Sequence, residues 1–462
     1  MLRRYIGDKA FYRRVMGVAV PIIIQNGITN FVSLLDNIMV GQVGTLQMSG
    51  VSIVNQLLFV FNLCVFGAVS GAGIFTAQFY GSRDHEGVRH TFRFKFLAAV
   101  SLVLLGAGTF LAAGQPLIRL YLQGDGDPKD LAITLAYGSD YLRIMLLGLL
   151  PFALANAYAG TLRETGQTMV PMVGGIVAVV VNLVFNYVLI FGHFGAPALG
   201  VRGAAVATVI SRYVELVIVA GWTHFNSDRN PFIQGAYSSM RIPKALLKGI
   251  FIKGMPLLIN EALWSLGMAF MSQCYSVRSL DVVAAMNIAT TLSNLASVVF
   301  LSMGNTVGII IGQMLGAGKT EQEVRDADNK LIAVSVVSCL LFGGLMAAVS
   351  GLFPQIYNTT DSVRHLATRI IWICAAFMPF NAYCNAAYFT LRSGGQTMVT
   401  FLFDSCFVWV CSVPLAFCLS RFTDLPIVPL YLACCSMDLI KCVIGYIMIR
   451  RGTWIQNLAK SK

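Results

Sequence analysis

Six carboxylates fall within otherwise apolar stretches of this chain: Asp36, Asp140, Glu215, Glu261, Asp404 and Asp438. An acid held in hydrocarbon costs roughly 2.5 to 3.5 kcal/mol even on a lenient insertion scale, so each needs a partner or a task. Three have a base three positions away, on the same helix face: Asp140 with Arg143, Glu215 with Arg212, and Asp438 with Lys441. These read as local, mutually neutralising pairs. Asp36, Glu261 and Asp404 have no such neighbour. An acid of that kind is by default a proton or cation site. For Asp36 the structural alternative is a carboxylate that simply reaches interfacial water.

Depth builds a set around Asp36, which lies four residues from the end of an apolar run over 15–40. The run over 170–191 carries Asn182 and Asn186, four apart and therefore on one face. Thr208 sits five residues into the run over 203–222. If these runs cross a bilayer in alternating directions, all four residues fall in its outer half. One carboxylate, two amide carbonyls and a hydroxyl make an all-oxygen set suited to a hard cation such as Na⁺, or to a proton. The two asparagines read equally well as helix-to-helix hydrogen bonds. Other chemistries lack their residues. Most of the eleven cysteines lie inside apolar runs as small hydrophobes, with no CxxC, so neither zinc nor disulfides are expected. The five histidines lie in connectors or at the ends of runs, and there is no Ser-His-Asp set, HExxH or P-loop. The expectation is no enzyme, and no cofactor beyond a coupling ion, Na⁺ or H⁺.

The elements that position these residues are membrane helices. Of 462 residues, 56% are hydrophobic and 12% charged, where a soluble domain carries about a quarter charged. Twelve apolar spans are expected, near 15–40, 51–79, 96–114, 134–160, 170–191, 203–222, 255–275, 284–312, 331–352, 368–390, 398–419 and 427–449. Each is long enough, at about 1.5 Å per residue, to cross a bilayer core of about 30 Å. The basic, amphipathic stretch 1–14 leads straight into the first span, so no cleaved signal is expected. With the N-terminus inside, 23 of the 33 Lys and Arg fall in inner connectors and 7 in outer ones, which places both termini in the cytoplasm. The net charge of +12 thus belongs to membrane topology, and no nucleic-acid partner is expected.

The chain also repeats itself. Pro21 and Pro256 open equivalent spans 235 residues apart, and the same offset relates Gly73 to Gly308, Gln78 to Gln313 and Gly81 to Gly316. The stretch Thr161-Leu162-Arg163-Glu164-Thr165-Gly166-Gln167-Thr168-Met169-Val170 recurs as Thr390-Leu391-Arg392-Ser393-Gly394-Gly395-Gln396-Thr397-Met398-Val399, identical at 8 of 10 positions. Six spans per half give both halves the same orientation and put a substrate path between them. The expected organisation is an N-lobe over 1–222, a basic cytoplasmic linker over 223–254 and a C-lobe over 255–462. The linker's Pro243–Lys248 part reads as a short interfacial helix.

Three motifs are similar to the multidrug and toxin extrusion (MATE) family. They are the end of the first span, Asp36-Asn37-Ile38-Met39-Val40-Gly41-Gln42-Val43-Gly44, the fifth-span segment Asn182–Gly192, and the entry to the sixth, Gly203–Thr208. The doubled Leu-Arg-x-x-Gly-Gln-Thr connector resembles it too. The resemblance covers nearly the whole chain. It implies an all-α polytopic membrane protein, with twelve transmembrane helices in two pseudo-symmetric six-helix lobes in a V-shaped arrangement. It also implies efflux of lipophilic, often cationic compounds driven by Na⁺ or H⁺. The family's first-lobe cation site falls on Asp36, Asn182, Asn186 and Thr208. Its seventh-span glutamate falls on Glu261, with Trp264 one turn away, while the tenth-span position that holds an acid in one branch is Asn381 here, beside Asn385. Glu261, Asp404, Trp264 and Tyr388 would supply anionic and aromatic contacts to a cation. A monomer in the plasma membrane, a bacterial inner membrane in the first instance, is expected, with lipids and small molecules as partners. The alternatives are a flippase for a lipid-linked precursor, a narrow-substrate metabolite exporter, or an ion channel or non-transporting membrane sensor. A flippase would need a cavity rich in unpaired cations, and the spans offer only Arg143, Arg212 and Lys441.

Overall fold

The computed structural model describes residues 5–122, 128–357 and 359–460, with the side chains of residues 33, 34, 36–38, 41, 45 and 280 outside that description. The described residues are almost entirely helical and contain no strand. A chain this apolar can satisfy its backbone in lipid only within helices or a closed barrel. The helices are α1 (Lys9–Gly41), α2 (Thr45–Gly81), α3 (His85–Tyr121), α4 (Pro128–Glu164), α5 (Met169–Phe191) and α6 (Val201–Phe225). After the connector follow α7 (Lys244–Ser276), α8 (Leu280–Gly316), α9 (Glu321–Val349) and α10 (Asp361–Ser393). Next, α11 (Thr397–Phe401) runs on through π-helical turns at Leu402–Cys406 and Val408–Ser412 into α12 (Val413–Phe422), and α13 (Ile427–Arg451) closes the series.

Eleven helical stretches among the described residues are long and apolar enough to cross a membrane, α11 and α12 counting as one. The protein is a multi-pass membrane protein. The remaining expected span, α7, is long enough, but Lys253, Asn260 and Glu261 interrupt its apolar run. No separate interfacial helix precedes it: the residues after Pro243 form the first turns of α7 itself. Leu104, Leu105 and Leu111 on α3 stand open to the surroundings, as lipid-facing residues do.

The chain divides into two compact units. The N-terminal unit comprises Ile24–Thr76 and Asp84–Lys248, and the C-terminal unit comprises Met1–Ile23, Ala77–Arg83 and Gly249–Lys462. The connector between α6 and α7 is folded onto the N-terminal unit. Phe232 and Ile233 are buried, and the Arg93 guanidinium donates to the carbonyls of Ala236 (2.8 Å), Gly235 (2.9 Å) and Arg241 (3.3 Å). Tyr237, in the same connector, hydrogen-bonds the Tyr158 hydroxyl and stacks on His224.

The core of the C-terminal unit runs from Val15 and Ala19 of α1 through Met303, Val307 and Ile311 of α8 to Trp454, beyond α13. Inside this unit the tip of α2 meets the end of α8 reciprocally: a Cβ on Gly81 would collide with the Gln313 carbonyl, and one on Gly316 with the Gln78 carbonyl. These are the repeat-related residues, and only glycine allows the backbones so close. Gln78 is fully buried and holds the segment after α13, donating to the Gln456 carbonyl (3.2 Å) and accepting from the Leu458 amide (2.6 Å).

Candidate functional site

In the N-terminal unit, α5 and α6 bring together three of the four residues selected by depth. The Asn186 amide nitrogen donates to Asn182 Oδ1 (3.1 Å), and Asn182 Nδ2 donates to Thr208 Oγ1 (3.2 Å). Thr208 in turn donates to the Ala204 carbonyl (3.0 Å). The two asparagines are buried, at 6% and 2% exposure, among apolar residues of a 23-residue helix that contains no charge. The local reason for their meeting is the four-residue spacing on α5, facing a threonine whose hydroxyl already returns to its own helix. Amide and hydroxyl oxygens gathered in this way can complete the shell of a small hard cation or relay a proton. Asp36 is carried by α1, and its side chain lies outside the described residues.

A second polar cluster lies in the C-terminal unit, on α7, α10, the π-helical turn and α13. Asp404 is held from two sides: Lys441 Nζ lies 2.5 Å from Oδ1, and Asn260 Nδ2 donates to Oδ2 (3.1 Å). Asn260 also faces the Tyr388 hydroxyl (3.4 Å), and its Oδ1 accepts from the Ser405 amide (3.2 Å) and hydroxyl (2.7 Å). The widened π turn presents two successive residues, Asp404 and Ser405, to the same asparagine, a use typical of such turns. Glu261, next to Asn260 and half-buried, has Arg392 and Asp404 as its electrostatic neighbours. Tyr388 is buried, and Trp264 is 41% exposed one turn along α7 from Glu261. Asn381, Asn385, Tyr388 and Arg392 share a face of α10 by spacing. Asn385 lies over Gly304 of α8, and its Oδ1 makes no hydrogen bond.

Several expectations change here. Lys441 pairs with Asp404 from another helix, not with Asp438 one turn away on its own. Asp140 pairs with Arg202 at 2.6 Å instead of Arg143. The pair Glu215–Arg212 forms as its spacing implied, at 3.4 Å. Arg392, counted among connector charges, is buried at the end of α10 with Phe389 against its guanidinium. Lys95, counted likewise, is fully buried and ion-paired with Glu164. Asn260, Ser405 and Arg392 were missed as site residues. The one sequence signal was the Asn260-Glu261 dipeptide breaking an apolar run.

Three comparisons bear on this arrangement. The model of the MatE family matches the chain twice, over residues 21–188 and 256–418. A probable multidrug resistance protein NorM from Thermotoga maritima is 23% identical over 451 residues, 96% of this chain and 93% of the relative. A probable multidrug resistance protein YoeA from Bacillus subtilis is 26% identical over 419 residues, 88% of this chain and 87% of the relative. The solved outward-facing conformation of a multidrug resistance MATE family transporter of the MOP superfamily superposes with a TM-score of 0.87 at 18% identity, covering 98% of each chain.

Proposed function

The chain belongs to the MatE family, and on that premise we propose that it is a secondary active exporter of lipophilic, often cationic compounds, driven by Na⁺ or H⁺ exchange. The observation that carries the reading is the Asn186–Asn182–Thr208 chain of polar groups in the N-terminal unit, its two asparagines buried. The ion occupies these oxygens together with the Asp36 carboxylate. Glu261, Trp264, Tyr388 and Asp404 in the C-terminal unit, with Asn381 and Asn385 on the same face of α10 as Tyr388, receive the cationic substrate or a proton. The protein works as a monomer in a plasma membrane, with both termini in the cytoplasm.

Ion and substrate favour different states of an alternating-access cycle. Moving such an equilibrium from one side to the other takes about 5.5 kcal/mol of differential affinity. Neutralising Asp36 removes a charge from α1, which also contains Pro21 and Gly27, and this lets the helix bend. The test is accumulation of a fluorescent lipophilic cation in efflux-deficient cells. Expression of the chain lowers accumulation, and Asn182→Leu restores it with the protein still in the membrane. Unchanged accumulation with membrane-inserted wild type would turn the reading towards a narrow-substrate exporter or a flippase.

A further inference from the structure

A buried ion pair is a poor device for stability alone. Replacing one by well-packed apolar residues is often neutral or favourable. Lys441 and Asp404 are 11% and 17% exposed, on helices that read as crossing hydrocarbon, and their retention calls for another role. Lys441 Nζ is seated against a carboxylate oxygen at 2.5 Å and 5.3 Å from the centre of the Phe403 ring, with Asp438 within electrostatic range. The carboxylate is itself fixed from behind by Asn260, which Ser405 locks in turn. Carboxylate, ring face and second acid are the surroundings that bind a small monovalent cation or an alkylammonium. Here the chain supplies the ammonium itself.

We propose that Lys441 is a tethered cation: its ammonium fills a monovalent-cation seat at Asp404 and thereby keeps free Na⁺ out of the C-terminal unit. Lys441 is then the residue that sets ion specificity. Resting on the exporter reading above, this assigns the coupling ion to the N-terminal unit, withdraws Asp404 from the substrate contacts and leaves Glu261 to a proton or a cationic substrate. The nearby charges are consistent with that division. Glu261 has Arg392 and Asp404 within electrostatic range, and Asp438 has Lys441 and Asp404, so three acids share two bases.

The experiment is thermal unfolding of the purified full-length protein in detergent, at one ionic strength, in N-methylglucamine, sodium or ethylammonium chloride. Lys441→Ala opens the seat, so its midpoint rises by at least about 2 °C in ethylammonium, with a smaller rise in sodium. The wild type lacks the ethylammonium response, and Lys441→Ala/Asp404→Asn loses it. Equal responses of wild type and Lys441→Ala, or a gain that survives Asp404→Asn, would overturn the proposal. If Lys441→Ala does not fold unaided, its monodisperse yield with and without ethylammonium reads the same question, with Lys441→Arg as the folded control. Absence of rescue there also overturns it. The readout is independent of transport. A protein that exports nothing can still show the seat, and a working exporter whose Lys441→Ala variant is blind to ethylammonium would sink this proposal alone.

Discussion

Replacing Asp404 with asparagine strands the Lys441 ammonium in a site 11% exposed. Removing one partner of a buried pair costs about 3–5 kcal/mol, because the other charge stays behind. Asp404→Asn should therefore lower the unfolding midpoint sharply, and Asp404→Asn/Lys441→Met should recover most of the loss in the same melt. Tyr237 gives a prediction of the opposite kind. Burial pushes its hydroxyl up from the ordinary value, against a smaller lowering by its hydrogen bond with Tyr158. Above about pH 10 the unfolded chain releases this proton while the folded one keeps it, so stability falls as pH rises. Tyr237→Phe should show a shallower loss between pH 9 and 11 in an alkaline unfolding titration. At this scale the sequence revealed which residues carry charge in apolar runs but not their partners. Spacing on one helix foresees Glu215 with Arg212 and misassigns Lys441, because the winning carboxylate comes from a helix 37 positions earlier.

At the scale of elements, the crossing of α2 and α8 depends on two glycines related by the repeat. Gly316→Val has no space against the Gln78 carbonyl. The helix ends must separate, and a loss of at least about 1–3 kcal/mol is expected from overpacking, read as a lowered midpoint. Trp454, fully buried just beyond α13, is a second anchor. Trp454→Ala should cost about 3–5 kcal/mol, and deletion of residues 453–462 should do the same or worse by the same measurement. Hydropathy found the helices because lipid demands long apolar runs. It could not show that Pro243–Lys248 leads straight into α7. Nor could it foresee the π turn at Leu402–Cys406, since a widened turn leaves no periodic signature in so apolar a segment. The segment after α13, with no hydrophobic periodicity, gave no hint that Gln78 would hold it.

For the whole molecule, the internal duplication was the most informative feature of the sequence. A repeat offset of 235 residues relates the pairs that meet at the α2–α8 crossing, and the family model matches once in each half. The units do not coincide with simple halves, however. The chain passes between them after Ile23, Thr76, Arg83 and Lys248, so α1 and α2 each contribute to both. Contacts between distant segments decide this, and they cannot be read from periodicity. The asymmetry of charge is as informative as the symmetry of fold. The N-terminal unit gathers amide and hydroxyl oxygens, and the C-terminal unit gathers acids around its own ammonium.

Gradient-driven movement of a fluorescent lipophilic cation across proteoliposomes reads ion-coupled export itself. Wild type and Asp36→Asn are compared with Na⁺ and H⁺ gradients imposed separately. Transport driven by one gradient is expected in the wild type, with a drop of at least tenfold in rate, about 1.4 kcal/mol, in Asp36→Asn. Full coupled transport by Asp36→Asn, or dye movement indifferent to both gradients, would contradict it.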